Sequence, residues 1–489
     1  MRITANKNNF PLATARKFHH MSMLCLIAFA IMLNISGCKK LVDVEAPLNS
    51  TSTGNAFASD VTATAVLNGI YTQLSTDRLS SGIQLTGFTS LYCGLSADEL
   101  VVDPSVDNNL KFYFTNSLFN TSGPFAWSAC YLMIYQLNTA IIGLEASNTL
   151  SPQVKNQLLG QALMLRAWHY FYLTNLYGDV PLVLGTDFKV NTNLSRSSQA
   201  SIYAQIIADL QQAEPLVSAA YLSPDAKTAS SERVIPNKAA VQAMLARAYL
   251  FAGNYPLAES AANRVIAQSS LYSLPALNQV FLSGSKEAIW QLQPVNLERN
   301  TEDAWTFVLP ASGPDPEHPV YLSDFLINAF EAGDKRRQDW VGSLNLGGQT
   351  YYYPYKYKSA DPGDPVTEYK MVFRLAEVHL IRAEALAQQN KLAAAATDLN
   401  LIRSRAGLSA TTASTQSALL AAIAHERQVE LFTEYGDRWI NLKRTKTIDQ
   451  VMPAVCTAKG GSWKSSAQLY PIPLDDLIRA PKLTQNPGY

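Results

Sequence analysis

The sequence predicts a mainly α protein: a scaffold of tetratricopeptide-like helix pairs carrying an irregular, loop-rich face and little β structure. Three observations point there. Apolar residues recur at helical spacing in several separate stretches. Two of these stretches share one pattern, with small residues twelve positions apart (Ala246 and Ala258, Ala383 and Ala395). Long polar segments without periodicity lie between the helical ones.

The first segment is a leader. Arg2, Lys7, Arg16 and Lys17 precede an apolar run from Met21 to Ile35, which ends in Ile35-Ser36-Gly37-Cys38. Basic, then apolar, then small residues is the layout of a secretory signal. A cysteine at the cut site resembles the bacterial lipobox, with Gly37 removed and Cys38 lipidated. An ordinary signal peptide with a chance cysteine is the alternative. A transmembrane helix fits less well, because the run falls short of the roughly 20 residues that span a bilayer. Lys39 to Thr53, with Pro47 and several Ser and Thr, reads as a tether. The expected organisation is a signal peptide over 1–37, a lipidated tether over 38–53 and one helical domain over 54–489. Within that domain an N-terminal part runs to about 275 and a C-terminal part begins at about 276.

Asp60 is the expected N-cap of a helix through Ala63, Val66, Leu67, Ile70 and Leu74. Residues 77–124 read as irregular, with β-like pieces such as Lys111 to Thr115. Helices return over Trp127 to Leu144 and Val154 to Tyr177, the latter stopped by Gly178 and Pro181. Ile202 to Leu216 keeps its apolar residues on one face. Leu245, Ala246, Tyr249 and Ala258 then fall at tetratricopeptide offsets around a Gly253-Asn254 turn. Ala383, Leu386, Ala395, Leu399 and Ile402 repeat that frame. Small residues at those positions let antiparallel helices approach closely, and such units must stack to bury their faces.

Composition narrows the function. Charged residues make up 16% of the chain, below the usual ~25%, and the formal charge is zero. The leader holds four basic residues and no acidic ones, so its removal leaves a net charge of −4. Nothing here draws nucleic acid. Cys93, Cys130 and Cys456 are an odd, widely spaced set that forms no disulfide framework, although one bridge remains open. His425-Glu426-Arg427-Gln428-Val429 begins like a zincin motif but has Val429 where the second histidine belongs, so no metal site is expected. His169 and His379 sit in apolar helices and read as core histidines. Glu426, Glu430 and Glu434 share a helical face near Arg427, Asp437, Arg438, Lys443 and Arg444, which reads as a structural ion network rather than a catalytic acid pair.

Several blocks then converge. The chain resembles the SusD/RagB family of outer-membrane nutrient-binding lipoproteins in Cys38-Lys39-Lys40-Leu41-Val42-Asp43 and in Leu165-Arg166-Ala167-Trp168-His169-Tyr170-Phe171-Tyr172, which runs into Leu176-Tyr177-Gly178-Asp179. It does so again in Lys286-Glu287-Ala288-Ile289-Trp290-Gln291, in Phe330 to Arg337, and in Arg374-Leu375-Ala376-Glu377 with Arg382-Ala383-Glu384. Glu426-Arg427 to Arg438-Trp439 and the closing Gln485-Asn486-Pro487-Gly488-Tyr489 complete the order. The resemblance implies a helical fold of four tetratricopeptide-like pairs. It implies a lipid-anchored, cell-surface protein that is not an enzyme and needs no cofactor. It also implies delivery of oligosaccharide, or in the RagB branch peptide, to a SusC-like TonB-dependent barrel. A lipid-anchored glycosidase is the remaining alternative. Asp334 with Arg336 and Glu384 with Arg382 read as packing or capping pairs.

The family's ligand face is built from loops, which here correspond to Leu91–Phe114 and Asn296–Tyr321. Sugar recognition needs flat aromatic surface with polar groups beside it. The first segment offers Asp98, Asn108, Asn109 and Tyr113; the second offers Trp305, Phe307, Glu302 and Asp303. Trp305 is the leading candidate, being a tryptophan in a polar loop. Tyr351-Tyr352-Tyr353-Pro354-Tyr355 reads as a strand of alternating burial.

Overall fold

Several helix starts in this chain are set by small polar caps. The computed structural model describes residues 53–76, 85–104, 108–122, 126–296 and 299–489. Cys38, the leader and the tether before Thr53 lie outside them. Helix α1 (Asp60–Ser75) is capped by Ser59, one residue earlier than expected, in a reciprocal capping box with Thr62. Asp60 instead sits in the first turn, where its carboxylate favours the helix dipole and accepts from Ser151 N at 2.9 Å.

The region expected to be irregular carries three elements. These are α2 (Leu85–Ser96), β1 (Leu100–Val102) and α3 (Asn108–Phe114). Lys111–Phe114 is therefore helical, not β. Its buried residues Leu110 and Tyr113 lie one helical turn apart, a spacing too short to be read as a period.

α4 (Ala126–Ala146) and α5 (Pro152–Tyr177) follow as an antiparallel pair. From Gln157 to Tyr177 every residue of α5 is buried, so this helix is the central post of the fold. Its end is the expected one: Gly178 takes φ 75° and donates its N–H to Thr174 O. α6 (Gln199–Ala213) packs along α5. Arg166 of α5 clamps Asp209 of α6 bidentately at 2.8 and 2.7 Å.

The repeat pattern is realised as α7 (Lys238–Phe251) with α8 (Tyr255–Ile266), and as α10 (Leu375–Gln388) with α11 (Leu392–Arg405). Ala246, Ala258, Ala383 and Ala395 are all fully buried between the helices. The two pairs stack although they are far apart in sequence, since α8 packs on α10. Arg247 of α7 grips Glu377 of α10 at 2.7 and 2.6 Å. Between them in the chain come β2 (Ala288–Leu292), the short helix α9 (Glu302–Phe307), β3 (Val320–Leu322), the β4–β5 hairpin (Val341–Leu346, Gln349–Pro354) and β6 (Lys370–Arg374). α12 (Gln416–Glu430), α13 (Asp437–Arg444) and α14 (Ile448–Ala458) close the scaffold.

Helix takes 52% of the described residues and strand 8%, so the mainly α expectation holds. Among the described residues the strands form three two-stranded antiparallel ladders, β1–β3, β2–β6 and β4–β5. Thr53–Tyr489 is one contact-connected unit. Five of the seven tryptophans (Trp127, Trp168, Trp290, Trp340 and Trp439) are buried in its core, leaving only Trp305 and Trp463 partly exposed.

The acidic cluster is a buried ion network. Arg336 contacts Glu426 at 2.6 Å and Glu430 at 2.8 Å. Arg374 contacts Glu287 at 2.8 Å, Glu430 at 2.6 Å and Glu434 at 2.7 Å. Arg405 bridges Glu287 and Glu430. Three details differ from expectation. The neighbouring Arg427, Arg438 and Arg444 pair with Asp437, Asp98 and Glu384, so Glu426 and Glu430 are neutralised by arginines from other elements. α12 ends at Glu430, so Glu434 joins from the following turn rather than from the same helix face. Glu384 pairs with Arg444 at 2.7 Å, while Arg382 pairs with Asp398 at 2.6 Å. Asp334 does cap a helix and pairs with Arg336 at 2.8 Å.

Candidate functional site

The two candidate loop segments meet through backbone. Leu100 pairs with Leu322, Val101 with Tyr321 and Val102 with Val320 in the β1–β3 ladder. Asp103 N extends it by donating to Pro319 O at 3.0 Å. Segments more than two hundred residues apart in sequence thus form one face.

α9 holds Trp305 on this face. Thr301 caps the helix by accepting from Ala304 N at 3.0 Å, and Glu302 and Asp303 occupy its positive first turn. Ala304 and Phe307 are buried and pin the helix to the core, and Asp303 is tied to Lys370 at 2.6 Å. Trp305 stays half-buried. The Arg299 guanidinium lies 3.8 Å from its ring centroid and is held there by Glu302 at 2.8 Å. The His318 ring lies 5.4 Å away, with its Nδ1 2.9 Å from Asp315. Burial pushes the Asp315 carboxyl up, but hydrogen bonds from the His318 and Glu317 backbone N–H groups and from His318 Nδ1 outweigh it and hold the carboxyl below its usual range.

A row of tyrosines continues the face. Tyr321 of β3 meets Tyr351 of β5 edge-on, centroids 5.1 Å apart, and Tyr353 meets Tyr355 at 5.8 Å. The alternating burial expected for Tyr351 to Tyr353 is absent: all three are half-buried, because the hairpin covers neither face fully. Gly342 opposes Tyr353 across the hairpin, and a Cβ there would lie 2.2 Å from the tyrosine ring. The ring therefore packs against a position that only glycine leaves open. Gly313, at φ 88°, similarly lets the 310–318 loop close on Leu346 at the hairpin tip. Burial raises the Tyr321 phenol above its usual range, helped by the neighbouring Asp103, Tyr351 and Asp324. Aromatic surface flanked by carboxylates is thus assembled from β1, β3, β5 and α9.

The structure separates the candidate residues. Trp305 stands on the face. Asn109 is exposed on α3; the backbone of Asn108 begins that helix, and its side chain lies outside the described residues. Three others leave the surface. Tyr113 is fully buried against Phe88, Tyr92 and Tyr470. Phe307 anchors α9 from inside. Asp98 is buried and gripped by Arg438 at 2.8 and 2.6 Å. Polar-loop context does not distinguish these from surface residues, because short helices inside a loop bury every third or fourth side chain. Tyr321 was missed as a member of the face, and Tyr351 and Tyr353 were set aside as a strand of alternating burial, although the Tyr-x-Tyr-x-Tyr spacing carried the signal.

Metal ligation and disulfide formation find no support among the described residues. No group of His, Cys, Asp and Glu there is arranged to hold a metal ion. Cys93, Cys130 and Cys456 are free and buried. His169 is sealed in α5 with Nδ1 2.8 Å from Leu165 O, and burial lowers it to about 4. His425 Nε2 faces Ala329 O at 2.8 Å.

Comparison with known proteins places the fold. A family model described as the SusD family matches residues 336–489, and one described as starch-binding associating with outer membrane matches residues 96–250. A SusD-like protein, P2, from Formosa agariphila is 26% identical, with 94% of this chain aligned to 98% of that one. A crystal structure of a SusD superfamily protein from Bacteroides vulgatus superposes with a TM-score of 0.76 at 20% identity, covering 88% of this chain and 99% of the other. A laminarin-binding SusD-like protein superposes at 0.71 and 22% identity over the same shares. Two models of one superfamily in sequence order, a relative aligned end to end and a shared scaffold agree, and the chain belongs to the SusD/RagB family.

Proposed function

We propose that this chain is a cell-surface, lipid-anchored glycan-binding protein that captures oligosaccharide on the Trp305–Tyr321–Tyr351 face and passes it to a SusC-like TonB-dependent barrel. The observation that carries the reading is the β1–β3 ladder, which puts half-exposed aromatics beside carboxylates on one side of the molecule. Sugar rings present an apolar C–H face and a rim of hydroxyls, and that combination of groups suits both. A laminarin-binding protein of the same fold supports a glycan ligand, and the outer-membrane description of one family model supports the location. Catalysis is not part of the reading. The densest carboxylate cluster is neutralised inside the core by Arg336, Arg374 and Arg405, so it offers no free acid–base pair.

Calorimetric titration against laminarin and other oligosaccharides, with peptides alongside, tests it. Saturable glycan binding without product release is expected. Peptide binding at this face or glycan cleavage would overturn it. For the anchor, Cys38→Ala is expected to release the protein from the membrane fraction.

A further inference from the structure

One side of the scaffold is apolar and exposed. On α4 the exposed side chains Leu132, Tyr135 and Ile142 lie within about 80° of one another around the helix and span about 15 Å along it. The segment after α5 runs beside this stripe. Asn138 of α4 donates to Val183 O at 2.9 Å, and Tyr131 donates to Pro181 O at 2.9 Å. That segment leads into the short helix Phe188–Asn191, capped by Asp187, whose side chain accepts from Lys189 N at 2.8 Å. Phe188 and Val190 are 75% and 56% exposed. The short helix Leu474–Arg479 approaches the same stretch of α4, with Asp476 in electrostatic range of the Tyr131 phenol, and presents Ile478 at 71% exposure. Large apolar groups gathered on one side of a surface mark a partner or a membrane.

Two observations select the occupant. The first is where the chain enters the body. Phe57, just after the short helix Thr53–Ala56, packs on α4 at Gly143, where a Cβ would lie 2.2 Å from its ring. Ser147 Oγ donates to Phe57 O at 2.8 Å. Gly143 adjoins Ile142 of the stripe. Fourteen residues, 39–52, separate this point from Cys38, at most about 50 Å of extended chain. An anchor at Cys38 would hold the body by this end of α4.

The second is the form and charge of the patch. Phe188 and Ile478 project from helices of four and six residues. A fluid acyl layer closes around projecting side chains, whereas a protein partner must offer each one a pocket. Lys189 is offset by Asp187 two residues away, and Arg479 lies 3.7 Å from Asp475. The patch therefore carries no cationic surplus, and the contact it offers is apolar.

We propose that this side, led by Phe188 and Val190, rests in the interfacial layer of the lipid bilayer beside the anchor. The contact rests on the lipid-anchor reading above and is independent of what the aromatic face binds.

The test uses residues 39–489, which contain the whole Thr53–Tyr489 unit, with an N-terminal hexahistidine tag in place of the lipid. The tag holds the chain on phosphatidylcholine vesicles carrying a nickel-chelating lipid, so failure of this contact and failure of the Cys38 anchor are read separately. A nitrobenzoxadiazole dye is placed on Phe188→Cys, or on Leu401→Cys of α11 as the control; Cys93, Cys130 and Cys456 are buried. Brominated phosphatidylcholine should quench the dye at position 188 at least threefold more than at 401, and equally in 0.5 M salt. Val190→Asp should cut the quenching at 188 by half or more. Equal quenching at both positions, its loss in 0.5 M salt, indifference to Val190→Asp, or a dimer that Phe188→Asp dissociates would each overturn the proposal.

Discussion

Arg374 and Glu430 meet at 2.6 Å with side chains 1% and 0% exposed. They sit at the centre of an ion network that joins β6, α12 and the turn after it to β2. Burial pushes Glu430 up, but Arg405, Arg374 and Arg336 outweigh it and hold its carboxyl far below the usual range. Removing one partner leaves a buried charge uncompensated, which costs about 3–5 kcal/mol. Arg374→Ala should lower the urea midpoint accordingly. The double change Arg374→Met with Glu430→Leu is not expected to rescue stability, because Glu287 and Glu434 then face the gap. Full recovery in that variant would show that the pair acts alone. Glu430 has a depressed folded pKa, so its contribution is complete above the unfolded value and is lost only as pH falls through the folded one.

Trp305→Ala should weaken glycan binding about tenfold, on the order of 1.4 kcal/mol. The melting temperature should move little, because Ala304 and Phe307 hold α9. Tyr113→Phe, deep in the core, should leave affinity unchanged. Equal effects of the two changes in titration would contradict the assignment of the face.

Gly342→Ala introduces a methyl where the Tyr353 ring lies 2.2 Å away. Overpacking of this kind costs about 1–3 kcal/mol. The ring must lift, so glycan affinity should fall while the helical circular dichroism stays intact. An unchanged affinity would separate Tyr353 from the ligand face.

Glu99 is buried, and neither carboxylate oxygen has a hydrogen-bond partner. Burial, with Asp98 adding to it, raises the carboxyl to about 8. The folded chain therefore holds a proton that the unfolded chain releases near 4.5. Stability from this group falls as pH rises from about 4.5 to 8. Urea midpoints of Glu99→Gln should gain on the parent across that window. Parallel pH profiles would refute the shift.

The helix pairs were legible because their warrant is local. Ala246 and Ala258, or Ala383 and Ala395, announce close packing by size and spacing alone, and both pairs formed as read. That the clustered Glu residues belong to an ion network was legible, but their partners were not: Arg336, Arg374 and Arg405 arrive from other elements, while the neighbouring Arg438 and Arg444 pair with Asp98 and Glu384. Other assignments failed for equally local reasons. Asp60 lost the cap to Ser59, an equally good capping residue one position earlier. Glu384 took Arg444 rather than Arg382, since the nearer arginine in sequence was turned toward Asp398.

Sequence alone thus determined the helical class, the repeat units and the family. Those follow from periodicity, residue size and short motifs, which act within a turn or two of chain. Only tertiary structure assembled the aromatic face. Tyr321 and Tyr351 come together across β3 and β5, and Leu100 reaches Leu322, by non-local pairing. Tyr113 and Phe307 were withdrawn into the core by the same folding. Burial depends on what packs above a residue, and nothing in the neighbouring sequence encodes that.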